Sequence, residues 1–63
     1  METMFPYKGY AIEIWGEPGR RRFKVRRNAR VVYRGELNHE TTFRARIAAQ
    51  GVVDYFLVPK EAA

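Results

Sequence analysis

Between Tyr10 and Leu37 the chain alternates apolar and polar side chains, broken twice by turn-forming residues. That pattern restricts the fold more than any other feature. Tyr10, Ile12 and Ile14 alternate with Ala11, Glu13 and Trp15; Phe23 and Val25 alternate with Arg22, Lys24 and Arg26; Val31, Tyr33 and Leu37 alternate with Val32, Arg34 and Glu36. A period of two puts one set on each face of a strand. The spacing therefore predicts three strands, the first running from about Tyr7 to Trp15. Gly16-Glu17-Pro18-Gly19 and Asn28-Ala29 form the turns between them.

Residues paired across antiparallel strands share a face, so the register can be deduced. If Pro18-Gly19 is a two-residue loop, Ile14 meets Phe23 and Ile12 meets Val25. The type II turn that Pro-Gly favours suits such a tight loop poorly. For the second hairpin, a three-residue loop Asn28 to Arg30 places Val25 against Tyr33 and Phe23 against Gly35, which keeps one face apolar. The other face then carries Trp15 opposite Arg22 opposite Glu36, Glu13 opposite Lys24 opposite Arg34, and Ala11 opposite Arg26 opposite Val32.

From about Glu40 the period changes. Arg46, Gln50 and Asp54 recur every four residues, with Ala45, Ala48, Ala49, Val52, Tyr55 and Phe56 on the other side at helical spacing. This predicts a helix laid on the sheet, with Asn38, Thr41 or Thr42 as its N-cap and Pro59 stopping it at or before Val58. A competing reading ends the helix at Gln50, uses Gly51 as its C-cap and makes 52–58 a fourth strand. The expected fold class is α+β: a three-stranded antiparallel β-meander with one C-terminal helix packed on one face. Its single domain spans 7–58, flanked by tails at 1–6 and 59–63.

Size and composition narrow the function classes. A chain of 63 residues has roughly 4,200 Å² of surface when folded and buries about 60% of what it exposes unfolded. A core that small cannot also enclose a deep, dry active site. The sequence holds no Cys and no Ser, one histidine (His39) and one aspartate (Asp54). No disulfide, thiolate or zinc cluster follows from it, and no nucleophile–base–orienter spacing stands out. The reading is a non-enzymatic chain with no catalytic residue, cofactor, metal or small-molecule substrate. The N-terminus lacks a signal-peptide pattern and no apolar run is long enough to span a bilayer; a soluble, cytoplasmic protein with no membrane partner is expected.

Charge is the remaining signal. Twelve Lys+Arg against seven Asp+Glu leave +5, and eight of those cations fall between Arg20 and Arg34. Guanidinium groups pair bidentately with phosphate and with guanine edges. The sharper reading is a module binding DNA or RNA through Trp15, Arg22, Lys24, Arg26, Arg27, Arg30 and Arg34, with Trp15 as a stacking group. The same register also predicts self-pairing: Glu36 neutralises Arg22, Glu13 neutralises Lys24, and Trp15 lies over Arg22 as a cation–π pair. That leaves the unpaired charge at the Arg26–Arg34 hairpin and the Arg20–Arg21 turn. The alternative function is a small protein-interaction or homodimerisation domain whose basic surface only keeps it soluble. Gly51 and its neighbouring alanines then pack close to the sheet or form a helix–helix seam. His39, in the strand-to-helix connection, reads as a surface or capping residue.

Three antiparallel strands with a basic face followed by one helix resemble the sheet-plus-helix DNA-binding domains of the AP2 and phage-integrase N-terminal type. Trp15, Arg22, Lys24, Arg26 and Arg34 occupy comparable face positions, and Tyr33-Arg34-Gly35 precedes a Thr41-Thr42-Phe43 helix start. The resemblance implies insertion of the exposed sheet face into the major groove. Tyr7-Lys8-Gly9-Tyr10 and Asp54-Tyr55 are also similar to segments of small uncharacterised bacterial proteins, a likeness that implies no function.

Overall fold

The computed structural model describes residues 3–62. Strands β1 (Thr3–Tyr7), β2 (Tyr10–Glu17), β3 (Arg20–Arg27) and β4 (Arg30–Leu37) form one antiparallel sheet in the order of the chain. Helix α1 (Thr42–Val52), a π-helical turn (Val53–Leu57) and α2 (Val58–Ala62) follow without a break as one rod across one face of the sheet. The fold is α+β, with four strands where three were expected.

The extra strand comes from the stretch expected to be an N-terminal tail and the start of the first strand. Thr3, Phe5 and Tyr7 continue the inward alternation, and the chain reverses at Lys8-Gly9 to pair Tyr7 with Tyr10 and Phe5 with Ile12. Both turn residues have positive φ, 50° and 84°, as a type I′ hairpin turn requires. Lys-Gly is a weak version of the usual Asn-Gly signal, so the turn reads as strand. Residues 1–2 of the expected tail lie outside the described residues.

The β2–β3 register is the expected one, from Glu17 against Arg20 to Ala11 against Arg26. Pro18 precedes Gly19 at φ 79°, and Gly16 takes φ 105°. A side chain at Gly16 would bring its Cβ within 2.7 Å of the Arg20 carbonyl oxygen. Gly16 therefore has to be glycine for β2 and β3 to close on this turn. Between β3 and β4 the expected pairs from Arg22–Glu36 to Val25–Tyr33 also form. The loop itself differs: Asn28 and Ala29, at φ 52° and 65°, make a two-residue turn that pairs Arg27 with Arg30. A bulge then shifts the register, so Arg26 faces Val31 rather than Val32. A three-residue loop and a tight turn plus a bulge give the same pairing beyond the bulge, which is why the apolar pattern does not separate them. Phe23 lies over Gly35, where a Cβ would sit 2.7 Å from its ring, and its ring meets Tyr33 at 5.6 Å.

The core is a single layer. Tyr10, Ile12, Ile14, Phe23, Val25 and Leu37 from the sheet meet Ala45, Ala49, Val53 and Leu57 from the helix. Burying each large aliphatic side chain contributes about 1.5–3 kcal/mol. The alanines bring the helix axis close to the sheet. Thr41 is the N-cap, accepting from the Arg44 amide at 3.1 Å, which settles that choice among the three candidates. Residues 52–58 are helical, so the fourth-strand alternative at that position is excluded. The rod runs through Pro59 to Ala62, where a stop and a tail were expected; Ala63 is outside the described residues. The π turn supplies the reason. The Val58 amide bonds the Val53 carbonyl, five residues back. This wider turn makes room for the proline ring, which in a regular α-helix would press on the carbonyl of Tyr55.

That turn also rephases the helix by about one residue. Leu57 is buried in place of Phe56, Val53 is buried beside the partly buried Val52, and Tyr55 is turned outward. Gly51 does not touch the sheet: the nearest group to a Cβ there is the Tyr55 ring at 4.0 Å. The expected polar stripe instead faces the first hairpin. Tyr7 donates its hydroxyl to Asp54 at 2.8 Å, Lys8 donates to the same carboxylate, and the Arg46 guanidinium sits 4.4 Å above the Phe5 ring.

Two predictions follow from this geometry. Alanine in a left-handed turn position is strained where glycine is not, so Ala29→Gly should raise unfolding stability by about 1 kcal/mol. Urea denaturation checks it, and a loss of stability would show that the turn is not as described. Lys8 and then Tyr7, by hydrogen bonding, hold the Asp54 carboxyl below the ordinary carboxylate range. A depressed pKa stabilises the fold above the unfolded value and loses that effect as pH falls through the folded one. The gap in Tm between wild type and Asp54→Asn should be present at pH 7 and close below about pH 4. A gap independent of pH would contradict the clip.

Candidate nucleic-acid interface

The helix covers one face of the sheet and leaves the other open. Strand alternation puts Ala11, Glu13 and Trp15 of β2, Arg22, Lys24 and Arg26 of β3, and Arg34 and Glu36 of β4 on the open side. Trp15, Arg22, Lys24 and Arg34 line one shallow hollow together with Gly35 and Glu36. Four of the seven expected contact residues are thus brought together, and Arg26 extends the row along β3.

Within the hollow, Lys24 is partly committed. Its ammonium lies 3.1 Å from the Glu13 carboxylate, as the register predicts, and 5.4 Å above the Trp15 ring. The cation over Trp15 is therefore Lys24 and not Arg22. Arg22 and Glu36 are register partners, yet no ion pair joins them among the described residues. Arg34 stands directly opposite Lys24, and among the described residues no carboxylate forms an ion pair with Arg34. Like charges so placed are mutually destabilising. The face thus keeps two arginines, Arg22 and Arg34, exposed on either side of a lysine held by Glu13.

Arg27 and Arg30 do not belong to this face. Arg27 continues the inward alternation, stacks 5.0 Å from the Tyr10 ring and bonds Glu61 at 2.7 Å. It fastens the tip of the β3–β4 hairpin to the end of the helical rod. Beneath it, the buried Tyr10 hydroxyl has no hydrogen-bond partner of good geometry; burial first, and the nearby Glu61 second, push its pKa up. Arg30 pairs in register with Arg27 and lines the space beside Tyr10, Leu57 and Lys60. Arg21, expected among the free charges beside the β2–β3 turn, is only 7% exposed. Its guanidinium donates to the carbonyls of His39 and Glu40 at 3.3 Å. The His39 carbonyl also accepts from the Gly19 amide at 3.1 Å. The connection between β4 and α1 is thus stapled to the β2–β3 turn. The His39 imidazole is half-buried with its Nδ1 unpartnered, so this residue works through its backbone. A sequence signal for these structural arginines does exist: Arg21 and Arg27 sit at inward positions of the alternation that Phe23 and Val25 define.

Charge is divided between the layers. The strand region, 3–37, carries nine Lys or Arg against three Glu, whereas 40–61 carries three of each sign. No helix among the described residues is long and apolar enough to cross a membrane. No protein-family model, curated protein or solved structure matches the chain.

The Lys24–Arg34 opposition yields a prediction. Arg34→Glu replaces a like-charge pair by an opposite-charge one and should stabilise the fold by a few tenths to about 1 kcal/mol. Thermal unfolding checks it. A loss of stability would mean that Arg34 has a structural partner.

Proposed function

We propose that the protein is a non-enzymatic module that binds nucleic acid through the open sheet face, with little dependence on sequence. The observation that carries this reading is the pair of exposed arginines, Arg22 and Arg34, flanking Lys24 and Trp15 on the face of the sheet opposite the helix, which no other element among the described residues covers. An isolated fold gains nothing from Arg34 opposite Lys24, whereas a row of phosphates does. Arg22, Arg26 and Arg34 supply planar donors suited to phosphate oxygens. Trp15 supplies a ring for a base or sugar edge once its ammonium neighbour turns to a phosphate. Four strands about 4.8 Å apart give a platform roughly 15 Å wide, wide enough to follow one backbone. The likeness to sheet-plus-helix DNA-binding domains supports the same face, although here the sheet has a fourth strand.

Fluorescence anisotropy with duplex DNA and with single-stranded RNA, across a salt series, tests the proposal. Affinity should fall with log salt by about 0.9 per neutralised phosphate on a duplex and about 0.7 on a single strand. Arg22→Ala and Arg34→Ala should each weaken binding and lower that slope by about one phosphate, whereas Arg30→Ala should leave both unchanged. Absence of binding to either ligand at low salt, or equal loss from Arg30→Ala, would overturn it.

A further inference from the structure

The side of the helical rod turned away from the sheet carries an apolar stripe. Phe43, Ile47, Gly51 and Tyr55 follow one another at intervals of four on that side, with Phe43 71%, Ile47 51% and Tyr55 85% exposed and Phe56 half-exposed beside them. A hollow lined by His39, Phe43, Arg44, Ile47 and Ala48 runs along the first turns of the same rod. A contiguous apolar patch of this kind is often a functional surface.

We propose that this face is an interface with a second copy of the chain, the two helices packed antiparallel about a two-fold axis near the middle of the stripe. Three features favour a second copy over another partner. The first is charge. The molecule carries +5, but 40–61 holds three cations and three anions. Two copies can meet helix to helix with their basic sheet faces pointing apart, whereas an acidic partner would be drawn to the sheet. The second is spacing. With the axis near Ala49, Phe43 of each copy meets Tyr55 of the other and Ile47 meets Gly51, where no side chain stands in the way. The exposed edge of Phe56 is then directed at the hollow beside Phe43 and Ile47. Such an interface is isologous, one patch serving both partners. Antiparallel packing also opposes the helix dipoles and keeps Arg44 and Arg46 away from their own copies. The third is area. The exposed parts of the three aromatic rings and Ile47 amount to roughly 500 Å² per copy, or about 1,000 Å² for the pair, the lower bound for a specific interface.

This seam differs from one built on the alanines, since Ala45 and Ala49 are buried against the sheet. The expected product is a weak, reversible dimer that forms without nucleic acid, so its failure and that of the sheet-face proposal are separable. Sedimentation equilibrium of the full chain from about 1 µM to about 1 mM should fit a monomer–dimer equilibrium. Ile47→Glu and Tyr55→Lys, both at exposed positions and both checked for an unchanged circular dichroism spectrum, should be monomeric throughout. Arg22→Ala should dimerise like the wild type. A wild type that stays monomeric over the whole range would overturn the proposal. So would association beyond two copies, or a dimer indifferent to both helix variants.

Discussion

The structure depends on one packing event, the seating of Ala45, Ala49, Val53 and Leu57 on Ile12, Ile14 and Val25. The sequence holds no cysteine, so no disulfide shares the task, and the described residues form one core cluster. The folded surface is 4602 Å², somewhat above the roughly 4,200 Å² expected of a compact chain of this mass. That excess suits a two-layer fold open on both outer sides. Everything peripheral serves to keep the rod in place. Thr41 caps its start, Arg21 ties its entry loop to the β2–β3 turn, Asp54 clasps the β1–β2 hairpin, and Glu61 pairs with Arg27 near its end.

A single helix can cover only one face of a four-stranded sheet. The other face must therefore be tolerated by water, and the chain solves this with charge. Some of that charge is absorbed internally, as Lys24 is by Glu13. What distinguishes the face from a merely solvated one is Arg34 opposite Lys24, an arrangement that works against the isolated fold. Six of the cations thus divide by role: Arg21, Arg27 and Lys8 hold the structure together, while Arg22, Arg26 and Arg34 form the row on the open face to which the proposed function assigns a ligand.

Much of this was legible in the residues. The alternation in Ile12, Ile14, Phe23 and Val25 determines the β2–β3 register because a one-residue slip would expose the whole apolar set. The same logic places Trp15, Arg22, Lys24 and Arg34 together. What it could not convey was local backbone geometry. The Lys8-Gly9 turn hides inside a run that also reads as continuous strand. The bulge opposite Val25 and Arg26 leaves the pairing beyond it unaltered and so leaves no trace in the pattern. The π turn shifts the buried helix positions by one, an insertion that a fixed 3.6-residue period cannot represent. Arg21 and Arg27 were read by their charge when their inward position in the alternation was the better guide.

Division of the surface into a ligand-binding sheet face and a separate helix face is the central claim, and backbone and side-chain NMR under titration tests it most directly. Adding a short oligonucleotide to isotopically labelled protein should shift the Trp15 indole N–H and the signals of Arg22, Lys24, Arg26 and Arg34. The resonances of Phe43, Ile47 and Tyr55 should stay in place at constant protein concentration. Shifts centred on the helix, or at the Arg27–Glu61 end of the rod, would contradict the account.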